Sequence, residues 1–298
     1  MRVTIKEILV HLDNINEKYT FVGDENQIIE GYSSLGNYKE NSITWIKKRD
    51  NIPPNFDIKG IKLAIIQENE NVEAENSIIC NNSKRCFFSI LDNLFVKNNE
   101  TVNPIGKGTY ISSNVKLGKN VVIGHNCTID GDITIGDNTR IYNNVSIINS
   151  VYIGENCDIE SSVTIGHDGF AFTENENHEK SMIKHYGGVK IGNNVHIGSQ
   201  THVARGTIDD TVIEDGTKID TLTHIAHNCR IGKNSTIIAG SLLYGSVDLG
   251  ENSYIASGIV RNQIKVGNNS FVGIGSVVLK DVENDITVIG IPAKPIIK

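Results

Sequence analysis

The feature that most restricts what this chain can fold into is a beat of six. From 105 to 165 every sixth residue is aliphatic: Ile105, Ile111, Leu117, Ile123, Ile129, Ile135, Ile141, Ile147, Ile153, Ile159 and Ile165. A helix has an apolar period of about 3.6 and a half-buried strand a period of 2, so neither produces this run. A fixed internal period marks a solenoid, in which each repeat buries its apolar residue only against its neighbours. The beat stops after Gly166 and returns at Ile191, Ile197 and Val203. It slips by four and runs from Ile213 through Ile219, Ile225, Ile231, Ile237, Leu243 and Leu249 to Ile255. After a second slip, Val266, Val272 and Val278 complete it.

Glycine follows the aliphatic residue at 106, 118, 124, 136, 154 and several later beats, and asparagine often stands two places beyond, as at 120, 126, 138 and 156. Glycine, and less readily asparagine, accepts positive φ, so each hexad is expected to carry a tight corner. Between corners β-branched residues dominate and favour short extended segments. Six residues then form one flat side, and three sides one coil of eighteen. The pattern resembles the hexapeptide-repeat, left-handed parallel β-helix over roughly residues 104–282. The left hand and three-sided section are implied by that resemblance.

The chain of 298 residues has room for one large domain or two ordinary ones. A hydrophobic fraction of 39% suits a solenoid that buries one main residue per hexad. Net charge is −7 and Lys and Arg are scattered, which argues against a nucleic-acid-binding face. No apolar run reaches membrane-span length, and the start MRVTIKEILVHLDN has no signal-peptide block, so a cytoplasmic protein with no membrane span is expected. The cysteines at 80, 86, 127, 157 and 229 are odd in number with no CxxC spacing, and read as reduced, mostly structural thiols.

Residues 1–103 lack the beat. A helix is expected from Val3 onward with Ile5, Ile8, Leu9 and Leu12 on one face, strands near Ile28–Tyr32, Ser42–Ile46, Lys62–Ile66 and Ser77–Cys80, and a helix over Cys86–Phe95. This is a small α/β domain of nucleotide-binding type, followed by a polar linker (Lys97–Asn103) closed by Pro104. Residues 104–282 form the β-helix, with a loop at 167–188, and 283–298 a short tail. Trp45 reads either as a half-buried core residue or as a ring that stacks on a nucleotide base.

The loop is the first place to look for function, since a solenoid accommodates an insertion only as a surface excursion. It opens with Gly166-His167-Asp168-Gly169-Phe170, which makes His167, Asp168 and Phe170 candidates for substrate contact. A polar cluster follows, with His196, His202, Arg205, Asp209, Asp210, Asp220, His224 and His227. The residue before an inward aliphatic faces outward, so His202 and His224, three sides apart, should stack on one outer face. His227 stands at a corner, seven residues after Asp220, and a carboxylate on one ring nitrogen would fix the tautomer and raise the basicity of the other. Gly245, eighteen residues on, should place a backbone N–H about one strand spacing (~4.8 Å) away, where it can donate to an oxyanion. Base and oxyanion donor side by side suit acyl transfer. No two of the nine histidines are five residues apart, which disfavours a carbonic-anhydrase-like hexapeptide metal site, and no metal is expected. A non-catalytic scaffold would leave the corner histidine, its aspartate and the glycine unexplained.

The strings Arg205-Gly206-Thr207-Ile208-Asp209-Asp210-Thr211-Val212-Ile213, Asp220, Ile225-Ala226-His227-Asn228 and Ile165-Gly166-His167-Asp168-Gly169-Phe170 together resemble the UDP-3-O-acylglucosamine N-acyltransferases of lipid A synthesis. The resemblance implies His227 as base, Asp220 as its support and Gly245 as oxyanion donor. It also implies a homotrimer with sites between subunits and a nucleotide-linked amino sugar held with help from the N-terminal domain; His202, Arg205 and His224 of the polar cluster stand beside these as candidates for substrate contact. No bound cofactor is expected; the co-substrate is an acyl-CoA or acyl carrier protein thioester. Three features depart from that family. Around Val260–Gln263 the chain has no histidine, Asn51 stands where a uracil-stacking tyrosine belongs, and the sequence stops at Gly290-Ile291-Pro292-Ala293-Lys294 and four more residues, without carrier-protein-binding helices. That ending resembles acetyl-CoA-dependent hexapeptide transferases. Two versions of the function therefore stand: the lipid A enzyme proper, and a short-chain acyl-CoA-dependent N-acetyltransferase of UDP- or dTDP-amino sugars.

Overall fold

The computed structural model of the chain describes residues 2–96 and 104–296. It divides into two compact units, Met1–Glu100 and Thr101–Lys298. The polar linker expected at Lys97–Asn103 lies outside the described residues.

In the N-terminal unit the first helix runs over Ile5–Asn14 and begins at a capping box. Thr4 Oγ1 accepts from the Glu7 N–H at 3.2 Å and the Glu7 carboxylate accepts from the Thr4 N–H at 2.6 Å, which occupies amides a helix start leaves free. Its buried face is Ile5, Ile8 and Leu12. Of the expected strands, Ser42–Ile46 and Ser77–Cys80 form as read and the third covers Leu63–Gln67. The strand expected over 28–32 breaks at Glu30 into Ile28–Ile29, which pairs antiparallel with Val3–Thr4, and Gly31–Tyr32, which joins the sheet. Tyr19–Val22, which has no strong pattern of its own, adds a fifth strand by pairing antiparallel with Ser77–Cys80. Helix Ser83–Ile90 packs on that sheet with Cys86, Phe87 and Ile90 inward.

The second unit is a left-handed parallel β-helix. Short strands stack in register, Ile123 on Ile141 and Ile141 on Ile159 at a spacing of eighteen, and Ile159 on Ile197 across the interruption. The beat residues from Ile123 onward fill one continuous core, nearly all at 0–1% exposure. The second slip proves to be a single missing residue: Val260 takes the beat after Ile255 and pairs with Leu243. Thr287–Ile289 still pairs parallel with Phe271–Val272, one strand beyond the expected end at 282, and Lys294–Pro295 folds back on it.

Asparagine and glycine divide the corner between them, which differs from the expectation that both supply positive φ. Asn120, Asn138, Asn156 and Asn234 all sit at φ of 55–58°. The glycine two places earlier has ordinary φ and is required for closeness instead: a Cβ on Gly136 would stand 2.6 Å from the Gly154 carbonyl carbon of the next coil. Between glycine and asparagine, each corner residue offers an N–H that a side chain one coil on can cap. Lys119 donates to Asp137 Oδ1 at 2.7 Å, Asn193 to Asp215 Oδ1 at 2.7 Å and Glu251 to Asn268 Oδ1 at 2.8 Å. Buried corner hydroxyls are satisfied in the same vertical manner, as where Thr139 Oγ1 donates to the Gly154 carbonyl at 2.8 Å. All five cysteines are buried and unpaired.

Candidate active site

Both the long interruption of the beat and the slip by four fall at one edge of the prism. Ile165, Val203, Ile225, Leu243 and Val260 are successive rungs of a single face. The residues after them are, coil by coil, the excursion, the segment Arg205–Asp210, His227 and Gly245. The excursion rises as an antiparallel hairpin in which Phe172–Glu174 pairs with Lys180–Met182. Its base is tied down. Asp168 Oδ2 accepts from the His185 N–H at 3.3 Å, and buried Arg205 donates from Nε to the Gly187 carbonyl at 2.6 Å, with Nη1 3.9 Å from Asp168. A cavity of about 590 Å³ lies between hairpin and coil. Phe170, Phe172, Met182 and Tyr244 make its apolar wall, Ala204 and Ala226 line it from the coil, and Asp168, His202, His224, His227 and Gly245 supply its polar groups.

His227 has one ring nitrogen committed. Nδ1 lies 3.0 Å from Asn228 Oδ1. That oxygen already accepts from the Thr207 N–H at 3.2 Å and the Thr207 hydroxyl at 2.9 Å, while Asn228 Nδ2 donates to the Asp209 carbonyl at 3.1 Å. The amide cannot turn over without losing these bonds, so the network assigns the proton to His227 Nδ1 and leaves the lone pair on Nε2. The other side of the ring is bounded by Gly245, where an added Cβ would stand 2.8 Å from Nε2 and 2.7 Å from Cε1. Only glycine leaves the ring this place. The Gly245 N–H donates to no backbone carbonyl among the described residues.

His202 and His224 stack as the hexad count requires, ring centroids 5.3 Å apart and planes within 5°. His167 stands one coil earlier, 6.4 Å from His202, with Nε2 3.1 Å from Ser146 Oγ. Burial, and then the neighbouring rings of His224 and His167, push His202 down to about 4. Burial also lowers His224, with His227 as the second cause. Both rings are therefore neutral near pH 7 and act as hydrogen-bonding groups rather than as charges.

Two expectations need correction. Asp220 does not meet His227 within the chain: its carboxylate accepts from the Thr221 N–H at 2.7 Å and the Ala239 N–H at 3.2 Å. Seven residues is one side plus one residue, so Asp220 and His227 occupy different corners, before and after strand His224–Ile225. Arg205 is a buried strut of the excursion and does not line the cavity. Trp45, read either as a half-buried core residue or as a base-stacking ring, is half-buried in the N-terminal unit, its ring centroid 6.4 Å from those of Phe87 and Phe88. The segment Val260–Gln263 supplies no titratable ring; Gln263 turns at φ 62° and its N–H donates to the Gly245 carbonyl at 2.9 Å. The sequence reading missed Asn228 as the partner of His227, although it sits next to it at a corner, and it missed His185. His185 is fully buried, with its ring 5.5 Å from that of His227.

Comparison with known proteins agrees with this architecture. Residues 132–167 and 210–245 match the family model for the bacterial transferase hexapeptide (six repeats), and residues 114–149 that for the hexapeptide repeat of succinyl-transferase. The UDP-3-O-acylglucosamine N-acyltransferase 2 of Legionella pneumophila (strain Lens) is 48% identical over 85 residues, 28% of this chain and 24% of its own length. The UDP-3-O-acylglucosamine N-acyltransferase of Rickettsia prowazekii (strain Madrid E) is 51% identical over 85 residues, again 24% of its length. The solved UDP-N-acetylglucosamine acyltransferase of Francisella novicida superposes with a TM-score of 0.59 at 25% identity, covering 64% of this chain and 69% of that one. The match thus spans about a quarter (24%) of the length of these curated relatives. The chain is a hexapeptide-repeat protein that resembles the UDP-3-O-acylglucosamine N-acyltransferases.

Proposed function

We propose that the chain is an N-acyltransferase that moves an acyl group from a thioester to the amino group of a nucleotide-linked amino sugar, in the cytoplasmic synthesis of lipid A or another surface glycan. The observation that carries this reading is the His227 corner. A histidine whose Nδ1 proton is locked onto Asn228 lines a cavity together with Gly245, which packs against its Nε2 and whose N–H has no backbone acceptor among the described residues. The names of the matched relatives supply the class of substrate.

In this mechanism the sugar amine attacks the thioester carbonyl carbon while Nε2 of His227 takes the amine proton. The carbonyl oxygen becomes an oxyanion that accepts from the Gly245 N–H. Collapse of the tetrahedral intermediate forms the amide and breaks the C–S bond, and the thiolate leaves with the proton from His227. Asn228 takes the tautomer-fixing role first assigned to Asp220. Asp168, Phe170, His202 and His224 contact the substrates from the cavity wall, while His167 and Arg205 act from behind it. The apolar wall of Phe170, Phe172 and Met182 suits an acyl chain.

The test is acyl transfer by the purified chain, with acetyl-CoA, a β-hydroxyacyl-CoA and an acylated carrier protein offered in parallel against UDP- and dTDP-amino sugars. His227→Ala should lower kcat by about 10²–10⁴, the usual contribution of a general base, with the circular dichroism spectrum unchanged. A fully active variant would remove the mechanism. The donor that is consumed distinguishes the lipid A enzyme from the short-chain N-acetyltransferase.

A further inference from the structure

Among the described residues, His185 is the one buried imidazole whose bonding is left open. Its side chain is 0% exposed. Nδ1 lies 2.9 Å from the Ile183 carbonyl, which can only accept, so the proton is on Nδ1 and Nε2 carries the lone pair. That Nε2 has no hydrogen-bond partner. An unmet polar atom in the interior is destabilising, and a phenylalanine of similar shape would avoid that. Its surroundings are specific. The ring meets His227 edge to face, planes at 78°. Both rings crowd the space beside Gly169, where an added Cβ would stand 3.0 Å from His185 Nε2 and 2.8 Å from His227 Cδ2. The lone pair is therefore without a donor in the resting site, yet it lies close to a ring that becomes a cation during catalysis.

We propose that His185 is a positioning residue that holds His227 against Gly245 and keeps its Nε2 lone pair beside the His227 ring, stabilising the imidazolium formed when the amine proton is taken. This rests on the reading of His227 as the base. A dipole fixed in advance toward a charge that appears only in the reaction acts on the transition state more than on the bound substrate. It also explains why a polar ring occupies an interior position that offers it no donor. The other titratable groups around His227 are His224 on the preceding strand, and Asp168 and Tyr244 on the cavity wall, with Arg205 paired to Asp168. None of these changes in the variants below.

The test compares His185→Phe, which keeps the shape and removes the lone pair, with His185→Gln, which restores an acceptor. His185→Phe should lower kcat roughly three- to tenfold with KM for both substrates within about twofold, and should move the acid limb of the pH–rate profile to lower pH. His185→Gln should recover most of the loss. Histidine-selective NMR titration of His227 in the full-length protein, without substrate, reads the same contact whether or not acyl transfer is the reaction: its midpoint should fall in the Phe variant and return in the Gln variant. An unshifted midpoint in folded His185→Phe overturns the proposal, as does a Gln variant no better than Phe. Absence of acyl transfer by the wild type alongside shifted midpoints would overturn the functional reading and leave the contact standing.

Discussion

Burying an imidazole that titrates ordinarily near 6.5 has a consequence in acid. His202 is held down at about 4, first by burial and then by the rings of His224 and His167. Between those two values the unfolded chain binds a proton that the folded chain refuses, so folding stability must fall as pH is lowered from about 6.5 to about 4 and level off below. His224, lowered by the same burial, adds to the same slope. His202→Gln removes one of these rings. Its thermal midpoint should lose less between pH 7 and pH 4.5 than that of the wild type, and the difference between the two chains cancels carboxylate effects common to both. Equal losses would mean that the ring is not protected from protons in the fold. The arrangement also fixes what the stack can do at neutral pH: two uncharged imidazoles accept and donate single hydrogen bonds on the wall of a largely apolar cavity, which suits sugar hydroxyls better than phosphates.

The hairpin that interrupts the coil is an addition to the solenoid and no part of its core. Ala171 and Ile183 already meet at its neck, where the Ile183 N–H donates to the Ala171 carbonyl at 2.9 Å. Replacing Phe172–Met182 by two glycines should therefore leave thermal unfolding of the β-helix nearly unchanged, while removing the Phe172 and Met182 side of the cavity. KM for the acyl donor is expected to rise at least about tenfold, the effect of losing a few buried methylenes of binding surface. An unaltered KM would show that the hairpin does not touch the donor. This element also explains which parts of the site could be read from sequence. The solenoid core was legible because burial repeats with the chain, and the His202–His224 stack followed from counting sides. Asp220 was misplaced because closeness in sequence is not closeness in space: a separation of seven is one side plus one residue, which puts it at the corner before strand His224–Ile225 and His227 at the corner after it. Counting could not reach His185 at all, since the excursion has no period and its return path over His227 depends on the ties of Asp168 and Arg205. Asn228 was visible as a corner asparagine, but its second task, fixing a neighbour's tautomer, needs the Thr207 donors brought in by the slip of four.

On the scale of the molecule, large apolar side chains stand free on two edges of the prism. Leu222 and Ile274 are 58% and 85% exposed at one edge, and Phe170 and Ile208 are 89% and 81% exposed at the edge that carries the site. Two unlike patches on one chain fit a head-to-tail contact, which closes into a ring when the rotation allows, and a homotrimer is the expected closure. Light scattering on the purified protein should give three chains of 32.7 kDa; a monomer at micromolar concentration would reject the assembly. The corner ladder adds a more general point. Along most of the prism, each coil's Asp or Asn secures an amide of the coil before it, and the structure runs on like a closed zip. Gly245 is a missing tooth: it offers the His227 amide nothing, and room for a ring and an unclaimed N–H opens in the gap. In such a fold, reactivity can arise by deleting one side chain from a regular series, with the backbone left as it was.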